Sequence, residues 1–227
     1  MELDELSWQA SNAYERTGAA FESVVRRKCL IRDSSADGQL GEAEVHVKLV
    51  RSAADYAAAD QLVAKRYAWR GYLVQSDPSE LPTDAALTHF TLLALRNDGA
   101  VGTITLGIDG LAGLAADEAN HGIIDRLRRI GRRVVELRRF AVEEAGQTRT
   151  VFANLFLAAY RIGRLVHRAT DVLIEVNPRH EAYYRRIFGF ARVGNEWVCP
   201  RVNAPAVLMH LDLTNLDARL RSSLRQL

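Results

Sequence analysis

Val134-Val135-Glu136-Leu137-Arg138-Arg139-Phe140-Ala141-Val142 is an apolar run with three charges set into its middle. Its branched and aromatic residues suit a β-strand. Charges inside a sheet carry a desolvation penalty and are rarely kept there without partners. Glu136 and Arg139 are three apart, so on a regular strand they would face opposite ways. A β-bulge between them brings both to one side, and bulges are frequent beside active sites. The other reading is an edge strand carrying a surface ion pair.

Working outward from this strand gives a regular alternation of elements. Upstream, Val45, Val47 and Leu49 alternate with His46, Lys48 and Val50, the period of a strand. Ser52 caps an alanine-rich helix from Ala53 to about Arg66. Leu87 to Arg96 and Val101 to Ile108 form a hairpin, because Asn97-Asp98-Gly99 tolerates the positive φ of a tight turn. An amphipathic segment, about Leu114 to Arg129, leads into the charged strand, expected over Arg133 to Val142. Downstream, Phe152, Leu155, Phe156, Ala159, Ile162 and Val166 share one face of a long helix, with Arg161, Arg164 and Arg168 on the other. Asp171 to Val176 reads as a strand through Val172, Ile174 and Val176. Asn177 then caps a helix with Pro178 at its first position, ended by Gly189. Short strands at Ala191 to Val193 and Ala206 to Leu213 complete an α/β domain over residues 44–213. Before it, residues 1–43 form a weakly helical extension with a polar, glycine-marked linker; residues 214–227 are a tail.

Composition narrows the class. The 227 residues suffice for one generous domain with a real core. A hydrophobic share of 48% with 26% charged residues is ordinary for a soluble protein. No stretch approaches the roughly 18 apolar residues of a membrane span. The acidic start, Met1 to Asp4, lacks a basic-then-apolar leader, so a cytoplasmic location is expected. Cys29 and Cys199 have neither disulfide-framework nor zinc spacing, and no metal site is expected. His167 and His180 have no acid-base partner by spacing. Net charge is only +2, and no nucleic-acid-binding motif accompanies the arginines at 126, 128, 129, 132, 133, 138 and 139, so nucleic-acid binding is not expected. Such a local run draws an acidic partner or simply covers a solvated helix.

The element order resembles the GNAT acyltransferase fold, a central mixed, mostly antiparallel sheet flanked by helices. Within it, Glu136-Leu137-Arg138-Arg139-Phe140-Ala141-Val142 resembles the central motif of acyl-homoserine-lactone autoinducer synthases. Two further blocks resemble the long-chain N-acyl amino acid synthases. These are Asn177-Pro178-Arg179-His180-Glu181-Ala182-Tyr183-Tyr184-Arg185-Arg186-Ile187-Phe188-Gly189-Phe190 and Cys199-Pro200-Arg201-Val202-Asn203-Ala204-Pro205-Ala206-Val207-Leu208. The likeness spans roughly residues 45 to 213; Gly189-Phe190 is common among GNATs, whereas Pro200 to Pro205 is more particular.

The resemblance implies transfer of a long-chain acyl group from an acyl carrier protein to the amine of an amino acid. The donor would be the carrier's acyl-phosphopantetheine thioester, with no cofactor bound by the chain itself. The loop after the charged strand agrees. Relatives using acyl-CoA place a glycine-rich diphosphate loop there. Here Glu143-Glu144-Ala145-Gly146-Gln147-Thr148-Arg149-Thr150 has one glycine and two adjacent acids. Carrier proteins of this type are acidic, so Arg128, Arg129, Arg132 and Arg133, or Arg161 and Arg164, are candidate docking residues. Glu136 is the candidate base or amine-positioning group, and Arg139 either holds it or grips the acceptor carboxylate. Arg66, Trp69, Arg138, Phe140, Phe152 and Tyr184 are the candidate substrate-binding residues. Many GNATs carry a general-acid tyrosine four residues before Gly-Phe. That position is Arg185 here, and Tyr184 is turned from it by about 100° of helix, so Tyr184 suits packing as well as proton transfer. An acyl-CoA-dependent N-acyltransferase, a lactone synthase and a non-catalytic carrier-binding module are the alternatives.

Overall fold

A computed structural model describes residues 45–69, 71–72, 88–97, 99–143 and 148–216. The expected extension over 1–43, most of the 214–227 tail and the centre of the 143–150 loop lie outside these residues. Among the described residues there are eight strands: β1 (His46–Leu49), β2 (His89–Arg96), β3 (Gly99–Ile108), β4 (Val134–Val142), β5 (Asp171–Val176), β6 (Ala191–Arg192), β7 (Trp197–Cys199) and β8 (Ala204–Asp212). They run in the order β1-β2-β3-β4-β5-β8-β6, with β7 also on β8. Every pairing is antiparallel except β4 with β5. That single parallel join positions the site.

The hairpin turn behaves as its residues demand: Arg96 pairs with Gly99, and Asn97 takes φ +48°. Helices α1 (Ala53–Ala68) and α2 (Asp117–Arg129) cover one face of the sheet. There Leu62 and Val63 pack on Ala141, while Ile124 packs among Val134, Leu173 and Leu208. Ser52 caps α1 by accepting from the Asp55 amide. The expected start of α2 at Leu114 is delayed to Asp117, whose carboxylate takes the Leu114 amide at 2.7 Å.

Helices α3 (Thr148–Tyr160) and α4 (Glu181–Phe188) cover the other face. Phe152, Leu155, Phe156 and Phe188 meet Ile104, Leu106, Val135 and Ile174 in the main core. Contact is close at Gly102, where a Cβ would lie 2.5 Å from Val151 Cγ1, so only glycine lets α3 seat on β3.

Three local readings change. The long helix does not continue regularly to Val166: Arg161–Val166 is π-helical, with the His167 amide bonded to Ile162 O. The wider turn rotates its end, leaving Leu165 and Val166 66% and 70% exposed. The helix from Pro178 is a 3₁₀ turn (Pro178–His180) running into α4, and Gly189 closes it at φ +78° as a left-handed cap. Trp197–Cys199 forms a strand that the sequence did not signal.

Candidate functional site

β4 has a bulge at Arg139, the far end of the Glu136–Arg139 stretch in which the sequence places it. Thr105 pairs with Arg138 and Thr103 with Ala141, so two residue steps on β3 oppose three on β4. Arg139, at φ +52°, absorbs the extra residue. The alternation of side chains changes phase there. Glu136, Arg138 and Ala141 pair with residues of one β3 face, the face under α1 and α2. Arg139 also turns to that side, where its guanidinium donates to Asp60 of α1. Phe140 goes to the opposite face, 4.6 Å from the ring of Phe152.

The parallel pairing of β4 and β5 runs from Val134–Asp171 to Leu137–Ile174. Past these residues a cavity opens on each side of the sheet. Leu137, Arg138, Arg139, Glu175, Val176 and Asn177 are among the residues that border both. The gap between the strands therefore joins two chambers of different chemistry.

The smaller chamber, about 170 Å³, is charged. Glu136 forms part of its wall at 2% exposure, and its Oε2 accepts from the Ala116 amide at 3.3 Å. Glu175, two residues beyond the Glu136 level on the neighbouring strand, is held on three sides. Trp197 Nε1 and Asn120 Nδ2 each donate to its Oε1 at 3.1 Å, and Arg201 Nη2 donates to Oε2 at 2.6 Å. Arg201 also donates through Nη1 to Glu118 at 2.6 Å and to Ala115 O at 3.2 Å. Burial raises Glu136 above the usual carboxylate range, against the pull of Arg138, the Ala116 amide and Arg201. Burial first, and then the charge on Glu136, push Glu175 up to about 7. Cys199 lies in the same wall, its thiol also raised by burial.

The larger chamber, about 380 Å³, is aromatic, with Phe140, Phe152, Phe156, Tyr183 and Tyr184 in its wall. Phe152 and Phe156 stack at 4.5 Å, and Phe188 stacks on Phe156 at 4.7 Å. Behind Phe156 is an apolar void of about 30 Å³ reaching Phe190 and Leu216.

Most nominated substrate residues meet here. Phe140, Phe152, Tyr184 and Arg66 line the aromatic chamber, and Arg138 borders both. Trp69 lies outside both, 67% exposed under the Arg66 guanidinium. Glu136 and Arg139 share the charged chamber, but Arg139 engages Asp60; the cations acting on Glu136 are Arg138 and Arg201.

Two of the candidate docking arginines are committed to acids within the chain. Arg128 is locked by Asp109, Asp117 and Asp125 at 2.6–2.8 Å. Arg132 is locked by Asp171 and Asp212 at 2.5 and 2.7 Å. Arg133 joins Thr170 through its backbone, Arg129 bonds Asp125 O, and Arg164 bonds Ala169 O. These residues, with Arg161, gather where β4 and β5 begin, about 13 Å of strand from the gap where the chambers meet. Asp109, Asp171 and Asp212, which hold Arg128 and Arg132, lie outside the arginine run in sequence, and so both read as free positive charge.

Glu175 and Arg201 were missed. The strand reading rests on Val172, Ile174 and Val176 alone, whereas Leu173 and Glu175 are inward too, under α2. An acid inside an apolar strand, the signal used at Glu136, was present there as well. Among the described residues no group of three or more His, Cys, Asp or Glu side chains forms a metal site.

Comparison with known proteins follows the same lines. A profile of the family described as N-acyl amino acid synthase FeeM matches residues 58–212. The structure of FeeM, an N-acyl amino acid synthase from uncultured soil microbes, superposes with TM-score 0.68 at 24% identity, covering 76% of this chain and 92% of that one. Escherichia coli ElaA gives 0.54 at 17% identity, covering 74% and 99%. An acyl-CoA N-acyltransferase from Pseudomonas aeruginosa gives 0.51 at 17% identity, again covering 74% and 99%. Against curated protein sequences the chain has no significant match. The structural likenesses establish the expected GNAT fold. With a profile match across most of its length, this chain belongs to the FeeM N-acyl amino acid synthase family of N-acyltransferases.

Proposed function

We propose that the protein moves a long-chain acyl group from an acyl carrier protein thioester to the amine of an amino acid, producing an N-acyl amino acid. The supporting observation is the pair of chambers joined at the β4–β5 gap. A thioester carbonyl at that gap would have an aromatic chamber for its alkyl chain on one side and a carboxylate-walled chamber for an ammonium group on the other. Glu136 contributes negative charge to the acceptor side, and Arg138 and Arg139 stand at the junction. The donor in this reading is the carrier's acyl-phosphopantetheine, which has no diphosphate to bind. Exposed Arg179, Arg185 and Arg186 follow β5 on the side of the aromatic chamber, where His180, Tyr183 and Tyr184 line its wall, and would meet an acidic carrier there.

The test is mass spectrometry of the pure protein with long-chain acyl carrier protein, matched acyl-CoA and a pool of amino acids. N-acyl amino acids formed preferentially from the carrier thioester are expected. Product from acyl-CoA alone would instead identify an acyl-CoA-dependent N-acyltransferase, and a lactone product would overturn the acceptor assignment.

Chain length gives a second check. Phe156 separates the aromatic chamber from the small void behind it. Phe156→Ala should merge the two and move the preferred acyl chain longer by a few carbons, while lowering stability by about 3 kcal/mol. An unchanged chain-length profile in product analysis would remove Phe156 from the acyl wall.

A further inference from the structure

We propose that Glu175 is the general base of the reaction, taking the acceptor's amine proton at the junction of the two chambers. The assignment rests on the N-acyl transfer reading above. Of the two acids in the wall of the charged chamber, Glu136 borders only that chamber, whereas Glu175 borders both. The attacking nitrogen must reach the thioester carbon at that junction, so Glu175 is the acid beside the path. Its bonds from Trp197 and Asn120 converge on Oε1, and Arg201 holds Oε2. The three donors fix the carboxylate plane; two fill the lone pairs of Oε1, and Oε2, with one donor, keeps acceptor capacity for a substrate proton.

The charged and titratable groups around Glu175 come from the elements packed on it. Glu136 and Arg138 lie on β4, Glu118 on α2, Cys199 at the end of β7, and Arg201 follows β7. Glu136 and Glu118 oppose its ionisation, while Arg201 favours it. Together with burial they hold Glu175 near 7, where a carboxylate is a far stronger base than in water.

The step balances without a further reagent. The amine nitrogen bonds the carbonyl carbon, and its proton passes to Glu175. The tetrahedral intermediate collapses by breaking the C–S bond. The leaving thiolate takes back one proton, giving the amide and a free thiol.

Steady-state kinetics on Glu175→Gln and Trp197→Phe, with whichever thioester the wild-type protein accepts, test the assignment. Glu175→Gln should lower kcat roughly 100-fold or more with little change in the donor KM, and the residual rate should rise with pH as free amine accumulates. Wild-type kcat should climb through an acidic limb near pH 7. Trp197→Phe, which removes one donor to the carboxylate, should move that limb to higher pH. Circular dichroism and melting curves establish that each variant is folded. Should Glu175→Gln fail to fold, the direction of the Trp197→Phe limb decides alone. A Glu175→Gln enzyme within about fivefold of wild-type kcat, or a limb unmoved by Trp197→Phe, would overturn the assignment. Absence of N-acylated product from the wild-type protein would overturn the transfer reading itself.

Discussion

Asp171→Asn should destabilise the protein by about 3 kcal/mol, lowering its melting temperature by roughly 6–12 °C. Asp171 is fully buried at the start of β5, where Arg132 donates twice, at 2.5 and 2.9 Å, and His210 Nε2 lies 2.6 Å away. Burial alone would raise its pKa. The hydrogen bonds with His210 and Arg132 outweigh burial and hold it below the usual carboxylate range. The variant leaves Arg132 short of charge but still paired with Asp212, so the loss falls at the low end for a broken buried pair. Because the folded-state pKa is depressed, this stabilisation is complete above the ordinary Asp pKa and disappears as pH falls through the depressed value. Thermal melts from pH 7 downward should therefore show wild type and variant converging in acid. A constant gap, or none at pH 7, would contradict the assignment.

Glu136→Gln should move stability the other way. Glu136 is raised by burial, so its ionised form opposes folding, increasingly so as pH climbs above the unfolded carboxylate value. Glutamine keeps an oxygen for the Ala116 amide and carries no charge to bury. The variant should gain about 1–3 kcal/mol at pH 8, with a melting temperature above that of wild type by roughly 2–4 °C per kcal/mol. The gain should shrink toward pH 4. Catalysis pays for the gain: without the neighbouring charge, Glu175 titrates lower, the acidic limb of kcat moves down in pH, and plateau turnover falls by about tenfold as the base weakens. A variant no more stable than wild type at pH 8, or an unmoved limb, would break the coupling between these two acids.

The sequence carried the fold well because each element had a local signature. Ser52 capped its helix, Asn97 took the positive φ of its turn, and Gly189 closed α4. The bulge was legible for another reason: charges three apart in an apolar strand have few ways to share a face. The errors arose where the deciding contacts are distant. Arg128 and Arg132 looked free because Asp109, Asp171 and Asp212 lie elsewhere in the chain. Arg201 was visible only as one member of a motif, since its partners Glu118 and Glu175 come from α2 and β5. Glu175 itself was hidden by a strand reading that rested on Val172, Ile174 and Val176 alone. The π-helical end of α3 has no composition cue, because Arg161–Val166 would suit a regular helix equally well.

The change of phase at Arg139 makes one strand serve as two separable dials. Residues before the bulge address the nucleophile's compartment, and Phe140 just after it addresses the alkyl compartment. Diversification at Phe140 and Phe152 can then retune chain length while leaving acceptor choice in place, and changes around Glu136 can do the reverse. Deleting Arg139 should leave that division in place. The ladder with β3 would run on without interruption, with Phe140 opposite Ile104 on the alkyl side and Ala141 opposite Thr103, so what the extra residue adds is the Arg139 guanidinium at Asp60 on the acceptor side.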